Sequence, residues 1–529
     1  MTLSVHHRSR RRSHGLGLAA IVIISPFLLP IAAAVHVSAA EHADQTGFTD
    51  LVANGRPAEA FTTAFKAGDE LFATPFNALD GGGANVGQGQ RFTRTPRADL
   101  NGLGEWATHL PSRTTGPNAQ ACTECHIAPA EDGSGGASAN VSRDPGHTAS
   151  PGSFINRNTP ALFGLGAIQR LAEEMSAELR KHRDAAVAQA RSDGKNVTKL
   201  LTAKGVAFGS ITARPDGSVD TSQVSGVDPD LVVKPFQWKG SIASIRDFVR
   251  GAAHNELGMQ AVELVGDAFD GDFDGVSDEL TVGDVTALTV YNAAQPRPVT
   301  RMELAAWRLI PALDDAETAA IQSGETAFDR AGCGSCHVKQ LTIVNPVFSE
   351  PSQQPEYRDA VLPAGQDPAS RGVSPTLPIT FDLTADHPDN RIITPSGRTV
   401  RLGSFERNTS GQAVVRLFGD LKRHDMGPGL AESIDEAGTG ASTFKTANLW
   451  GVGSTAPYLH DGRATTLTEA ILAHGGEGKP SKAAFLALPA REQRNLVAFL
   501  NNLVLYKLLP AEAATGTPSI PPPHKRHRH

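Results

Sequence analysis

The chain of 529 residues is 40% hydrophobic and 20% charged, ample for several cores, which excludes a wholly disordered protein. Its formal net charge is -7, and residues 1–40 hold four arginines and no acid, so the remainder is more acidic still. Such a balance excludes nucleic acid as a partner, because a surplus of carboxylates repels phosphate.

Residues 1–40 have the make-up of a secretory signal peptide: a basic start (Arg8, Arg10, Arg11, Arg12), an apolar stretch from Gly15 to Ala34, then the small residues Ser38, Ala39 and Ala40. Cleavage after Ala40 is expected, with export to the periplasm by the general secretory route. An uncleaved anchor is the alternative, since the apolar run approaches the length of a membrane span. It is the one arrangement that would place this chain on a membrane.

The four cysteines fall into two copies of one pattern, Cys122-Thr123-Glu124-Cys125-His126 and Cys333-Gly334-Ser335-Cys336-His337. A disulfide within either pair would close a very tight loop and leave the adjacent histidine unexplained. Zinc takes its histidine further from the second cysteine. Two covalently attached haem c groups account for every cysteine: each thiolate adds to a vinyl group, and the next residue gives the iron an imidazole ligand. The expected haem-binding residues are therefore Cys122, Cys125, His126, Cys333, Cys336 and His337.

Behind the first motif, residues 131–153 are crowded with Gly, Ser, Ala and Pro and are expected as an exposed loop. The run from Ile168 to Arg191 reads as a long helix. The acidic run Asp270-Gly-Asp272-Phe-Asp274-Gly275 offers oxygens at alternate places with glycine at the sixth, as a calcium loop requires, but its twelfth place is Thr281 and not Glu. Calcium held by Asp270, Asp272 and Asp274 and a metal-free acidic turn both fit. Asp315 to Ala331 is helix-like and leads straight into Cys333. Strand-like pieces follow at residues 378–383, 399–402 and 413–418, and a closing helix is expected between Ala487 and Lys507, with Leu496, Phe499, Leu500 and Leu503 at helical spacing. The basic end, His524 to His529, is expected to be disordered.

The chain also repeats itself. Thr159-Pro-Ala-Leu162-Phe163-Gly164-Leu165-Gly166 parallels Thr446-Ala-Asn-Leu449-Trp450-Gly451-Val452-Gly453, and Trp238-Lys-Gly240 parallels His460-Asp-Gly462, in the same order in both halves. The expected fold is mainly α. It comprises two class I cytochrome c-like haem domains related by internal duplication, with long loop and short β-strand insertions: residues 41–310 with a helical insert, residues 311–510 with a β/loop insert, and a tail at 511–529.

With these blocks the chain resembles the di-haem cytochrome c peroxidase superfamily, and within it the di-haem oxidoreductase family. The residues that carry the resemblance are Arg157-Asn158-Thr159-Pro160, His424-Asp425-Met426-Gly427-Pro428-Gly429, Phe444-Lys445-Thr446, and Ala456-Pro457-Tyr458-Leu459-His460-Asp461-Gly462-Arg463. The resemblance implies one six-coordinate haem that passes electrons and one with an open face where peroxide is cleaved beside an acidic residue. It implies Trp238 as an electron bridge, Glu256 as the distal acid/base, and His474 as a second axial ligand of the C-terminal iron, with His460, Met426, His424 and His254 as other candidates. Many relatives have Met where this chain has His474, and two imidazoles lower an iron's potential relative to His/Met, as in the rubber oxygenases of the same superfamily.

The function expected is an exported di-haem oxidoreductase that reduces peroxide at the N-terminal haem, with electrons from a small redox protein or a quinol-linked donor. A di-haem oxygenase or oxidase of an organic or protein substrate is one alternative. A non-catalytic electron carrier, closed on the first iron by His254 or Met259, is another.

Overall fold

The computed structural model describes residues 39–83, 92–95, 108–148, 150–358, 363, 368–385, 391–393 and 399–507, with the backbone alone at 391–393. The expected signal peptide, apart from Ala39 and Ala40, and the basic tail lie outside the described residues. Helices α1 (Gln45–Ala53), α2 (Pro57–Ala73), α3 (Leu165–Asp193) and α4 (Ile245–Ala252) precede a short α5 (Val262–Val265) and the buried α6 (Val282–Ala293). Then α7 (Arg301–Ala306) leads to α8 (Asp315–Arg330), and α9 (Leu467–Ala473), α10 (Lys479–Ala487) and α11 (Ala490–Asn502) follow. No helix among the described residues is long and apolar enough to cross a membrane.

Two helix crossings organise the chain. Pro57 starts α2, and its apolar positions Ala60, Phe61, Ala64, Phe65, Gly68, Leu71 and Phe72 recur at three and four residues, so one face turns inward. That face meets α6, which is buried throughout and opens on a Thr281/Asp284 capping box. At the crossing, a Cβ on Gly68 would overlap the carbonyl oxygen of Ala287. In the second half α8 crosses α11, and a Cβ on Gly324 would overlap the carbonyl oxygen of Asn495. Phe328, Phe418 and Phe499 pack edge to face around that contact, with centroids 5.6 to 6.1 Å apart.

The loops between the helices also agree in detail. Phe236 bridges Ile242, and Tyr458 bridges Ala464. Gln237 and Gly240 in the first loop, and Leu459 and Gly462 in the second, have positive φ between 59° and 72°. Each loop ends on a hydroxyl cap, Ser244 before α4 and Thr466 before α9. Gly164 and Gly451 share a left-handed conformation, and a Cβ on Gly164 would come within 2.6 Å of the Trp450 ring.

The fold is mixed, 37% helix and 15% strand, so helix predominates less than the expected mainly α class implies. The difference lies in the inserts. The helical run expected from Ile168 is α3, but the insert continues as an antiparallel sheet of Val197–Ala203, Val206–Ala213 and Val219–Asp220. Strands Leu341–Ile343 and Ala413–Val415 pair in the second half, as do Val347–Glu350 and Ile379–Asp382. These strands do not bury their apolar side chains beside α8 and α11. Leu341, Ile343, Phe348, Phe381, Ala413 and Val415 belong to the core built around α2, α3 and α6. The core of Ile321, Phe328, Phe485, Leu496 and Phe499 is separate and smaller. The exposed loop expected at residues 131–153 holds only in part: Asp132, Ser134, Ala139 and Val141 are buried and Val141–Arg143 pairs with Ile155–Arg157, whereas Gly146, Thr148 and residues 150–152 are exposed. The small residues Gly133, Ser134, Gly135 and Ala139 serve close packing. At the end of the chain the helix stops at Asn502, and Leu503–Val504 pairs instead with Val299–Thr300.

Gly324→Ala is expected to destabilise the protein by about 2 kcal/mol in denaturant unfolding, because the added methyl group forces α8 off α11. Gly334→Ala, where nothing lies within 4 Å of the added carbon, serves as the control and is expected to be near neutral.

Candidate functional site

Each Cys-x-x-Cys-His motif forms one short turn. At the second, Gly332 ends α8 in a left-handed conformation, Cys333–Ser335 makes a 3-10 turn, and the His337 amide donates to the Cys333 carbonyl at 2.9 Å. The turn places both thiols and the imidazole on one side. His337 Nδ1 bonds the carbonyl of Phe418 at 3.2 Å, and His474 Nδ1, at the end of α9, bonds that of Ala470 at 2.8 Å. With Nδ1 occupied in each ring, Nε2 is left as the lone-pair nitrogen. Burial pushes His337 down to about 4 and lowers His474, so both rings are neutral, as metal ligands must be.

The two rings face one another with centroids 6.4 Å apart, too far for a hydrogen bond. Two imidazoles sharing one transition metal, with bonds of about 2 Å each, hold their ring centres roughly 6 Å apart. Both line a cavity of about 340 Å³ together with Cys333, Cys336, Met426 and Lys445. Lys445 is pushed down to about 8 by burial, a cation in a mostly apolar cavity that suits a carboxylate-bearing group. The residues present therefore fit a haem, which His337 and His474 would hold.

Two other ligand candidates are occupied elsewhere. His424 has Nε2 on Asp420 at 2.9 Å and Nδ1 on Glu477 at 2.7 Å, with the Cys336 sulfur 3.9 Å away. Burial opposes its charge, but bonds to Asp420, Cys336 and Glu477 outweigh that and push it up to about 11. It is a held imidazolium with no free lone pair. His460 stacks on Phe444 at 4.2 Å near Glu432, in a buried charge network with Lys239 and Arg157.

At the first motif, Cys122–Glu124 makes the same 3-10 turn and the His126 amide donates to the Cys122 carbonyl. His126 Nδ1 bonds the Gly133 carbonyl at 3.2 Å, and burial pushes the ring down to about 4. Burial raises both thiols, Cys122 to about 12, while Arg94 donates to the Cys125 sulfur at 2.7 Å. Glu256 comes to this motif from α4, whose end widens into a π-helical turn at Ala253–Leu257, a feature often found at functional sites. Its carbonyl accepts the amides of Asn118 and Ala119, and its carboxylate accepts from the Asn118 side chain. Ring His254 is buried and faces the segment of Pro111, Ser112 and Arg113, where burial and the Arg113 charge push it down to about 3.

Trp238 lies on the wall of the large cavity between the halves. Its indole N–H donates to the Asn158 carbonyl at 2.8 Å, and its own carbonyl accepts the Lys445 amide. Asn158 in turn donates to the carbonyls of Pro457 and Leu459. The structure thus brings Trp238 to the second motif and Glu256 to the first.

Asp270, Asp272 and Asp274 place carboxylate oxygens within 4.8 Å of one another. Burial and the neighbouring Asp274 push Asp272 up to about 7, and burial and Asp272 push Glu279 up to about 10. Thr281, at the twelfth place, caps α6. Arg113, fully buried, feels the charge of Asp272, Glu279, Glu256 and Asp274. Arg113 could not be found from the sequence, because its carboxylates lie far along the chain, and the His424 arrangement needs Glu477, 53 residues on, as well as nearby Asp420.

Paired Cys-x-x-Cys-His turns, one of them facing a second neutral imidazole, define a haem-binding class of site. A family model described as di-haem oxidoreductase, putative peroxidase, matches residues 396–503, which hold His424, Lys445, His460 and His474. The resemblance read from the motifs is thereby carried in the C-terminal part of the chain. Among solved structures, hydrazine synthase of Kuenenia stuttgartiensis is 13% identical, covering 83% of this chain and 92% of that chain with a TM-score of 0.29. A MauG-like protein associated with microbial copper homeostasis is 17% identical, covering 65% of this chain and 89% of that one with a TM-score of 0.25. A comparison with curated proteins finds no match.

His424→Gln leaves Asp420 buried without its cation and is expected to cost about 3 kcal/mol in unfolding at pH 6. The wild-type pair raises the imidazole from 6.5 to about 11, so its stabilisation is complete below pH 6.5, declines as pH rises and is gone above about 11. The gap between variant and wild type should close over that same window.

Proposed function

We propose that the chain is an exported periplasmic c-type cytochrome with two covalently attached haems. In this reading it acts as a di-haem oxidoreductase, reducing peroxide at the N-terminal haem with electrons relayed by the C-terminal one from a small redox protein or quinol-linked donor. The observation that carries this is an asymmetry between equivalent loops. Counted from the caps Thr466 and Ser244, the place of the ligand His474 in the second half is taken in the first by Ala252. A methyl group cannot bind iron, which supports an open face at the first site where His474 would close the second. The agreement of the two loops, and of the two glycine crossings, supports a common origin of the halves.

When bound, haem supplies the electrons and the Lewis-acidic iron on which peroxide is split. The chain supplies the rest. Cys122, Cys125 and His126 hold the first group and Cys333, Cys336, His337 and His474 the second. Glu256, oriented by Asn118, accepts the proton of the incoming peroxide and returns it to the departing oxygen. Trp238, tied to Asn158, lies where electrons pass between the halves. Asp270, Asp272 and Asp274 are proposed as a calcium site; the same acids also read as the counter-charge of Arg113, and metal analysis of the purified protein separates the two.

Electron paramagnetic resonance of the holoprotein, oxidised and half-reduced, tests the reading. A high-spin N-terminal iron beside a low-spin C-terminal one is expected, whereas two irons that stay low-spin in both states would make the protein an electron carrier. His474→Ala should turn the C-terminal iron high-spin and let it bind carbon monoxide. Glu256→Gln should cut peroxide turnover by about 10²-fold or more while leaving both haem spectra unchanged. Unaltered turnover would remove Glu256 from the mechanism, and oxygen uptake with peroxide scavenged would point to an oxygenase.

A further inference from the structure

Tyr291, on α6, is wholly enclosed, and its hydroxyl donates to the Asp132 carboxylate, 2.9 Å from Oδ2 and 3.0 Å from Oδ1. Asp132 is equally enclosed and takes the Lys507 ammonium at 2.5 Å. The Tyr291 ring lies 5.3 Å from the Phe72 ring, and Phe72 lies 6.0 Å from the ring of His126. A short series of rings therefore joins a buried phenol to the histidine of the first motif. The turn that carries Asp132 also fixes that histidine, since the next residue, Gly133, accepts from His126 Nδ1.

A buried phenol does not need a carboxylate to satisfy its hydroxyl. Tyr357, also buried, bonds the Val233 carbonyl and the Ser176 hydroxyl. A carboxylate partner offers something a carbonyl does not, a base of useful strength. Burial and the Asp132 charge push the Tyr291 phenol well above its ordinary value, so it does not ionise as an acid. Once a phenol loses an electron it becomes a strong acid, and in a dry interior its proton can leave only to a base already in contact. Asp132 is pushed up to about 6 by burial, against the Lys507 charge that keeps it ionised and ready to accept.

We propose that Tyr291 is a redox-active residue that gives one electron, through Phe72 and His126, to the N-terminal haem after peroxide has oxidised it, while its hydroxyl proton passes to Asp132. The O–H bond of Tyr291 breaks, an O–H bond forms on Asp132, and a neutral tyrosyl radical remains. Peroxide is the oxidant: it takes two electrons, one from the haem and one from Tyr291, and two protons from solvent, and becomes two water molecules. A later electron from the donor restores the phenol, and the proton returns from Asp132. The radical stores an oxidising equivalent away from the open site until the donor arrives. This rests on the peroxide reading for its physiological oxidant.

The holoprotein is tested in two arms: rapid mixing with hydrogen peroxide, and oxidation by a photogenerated ruthenium polypyridyl complex, each followed by freeze-quench electron paramagnetic resonance. A tyrosyl signal is expected in both arms for the wild type. It should be lost in Tyr291→Phe, a variant that keeps the ring and the Asp132–Lys507 pair, with both haem spectra intact. A signal that persists in Tyr291→Phe, or none from the wild type in the photochemical arm, overturns the assignment. A signal in the photochemical arm alone, with haems that peroxide leaves unchanged, upholds Tyr291 and sinks the peroxide reading instead.

Discussion

An imidazole that is to present a lone pair must have its other nitrogen occupied, and three histidines here meet that condition through backbone carbonyls. His126 uses Gly133, His337 uses Phe418 and His474 uses Ala470. The bond fixes the tautomer and the ring plane, and burial lowers each ring's pKa and so favours the neutral form. The turns, helix ends and glycines around these rings can be read as the means of placing three carbonyls. His424 shows the contrary arrangement. Carboxylates occupy both of its nitrogens, so the same side chain becomes a permanent charge.

The two sites are joined by polar groups that neither half satisfies alone. Asn158 carries the connection, with its carbonyl on Trp238, its amide on His460, and its side chain on Pro457 and Leu459. Beside it Arg157 pairs with Glu432 and Glu436, and Lys239 lies over the Phe444 ring at 4.3 Å. Trp238, Lys239 and His460 come from the blocks by which the two halves resemble one another, and Arg157, Asn158 and Phe444 stand just before such blocks. Each block is thus a piece of interface as well as a piece of a site, and a change in one half is felt in the other.

Local features were legible in the sequence. The motif turns follow from five consecutive residues, α3, α8 and α11 follow from apolar spacing, and the short strands at 379–382 and 399–401 lie inside the pieces expected. The resemblance also singled out His474, whose ring lies 6.4 Å from that of His337. Whatever depended on distant partners was not. The hairpin of Val197–Ala203 and Val206–Ala213 did carry a signal, alternating side chains around Lys204 and Gly205, but the strong helix before it set the reading of the whole insert. Residues 131–153 looked like an exposed loop by composition, yet 132–135 and 141–144 are largely buried, because small side chains suit close packing as well as they suit solvent. The pairing of His424 with Asp420 and Glu477 has no spacing that would reveal it.

The strands of the second half that pack into the first core bear on how this chain is made. Cys125 belongs to the same core as Leu341, Ile343, Phe381 and Val415, and Cys122 packs against it. A chain emerging from its N-terminus cannot complete that core until the residues around the second motif have emerged as well. On that order of synthesis the first pair of thiols would be shielded only after residues 341–415 have joined this core. Any enzyme that must modify those thiols is given its window by the order of synthesis, and the late arrival of residues 341–415 closes it.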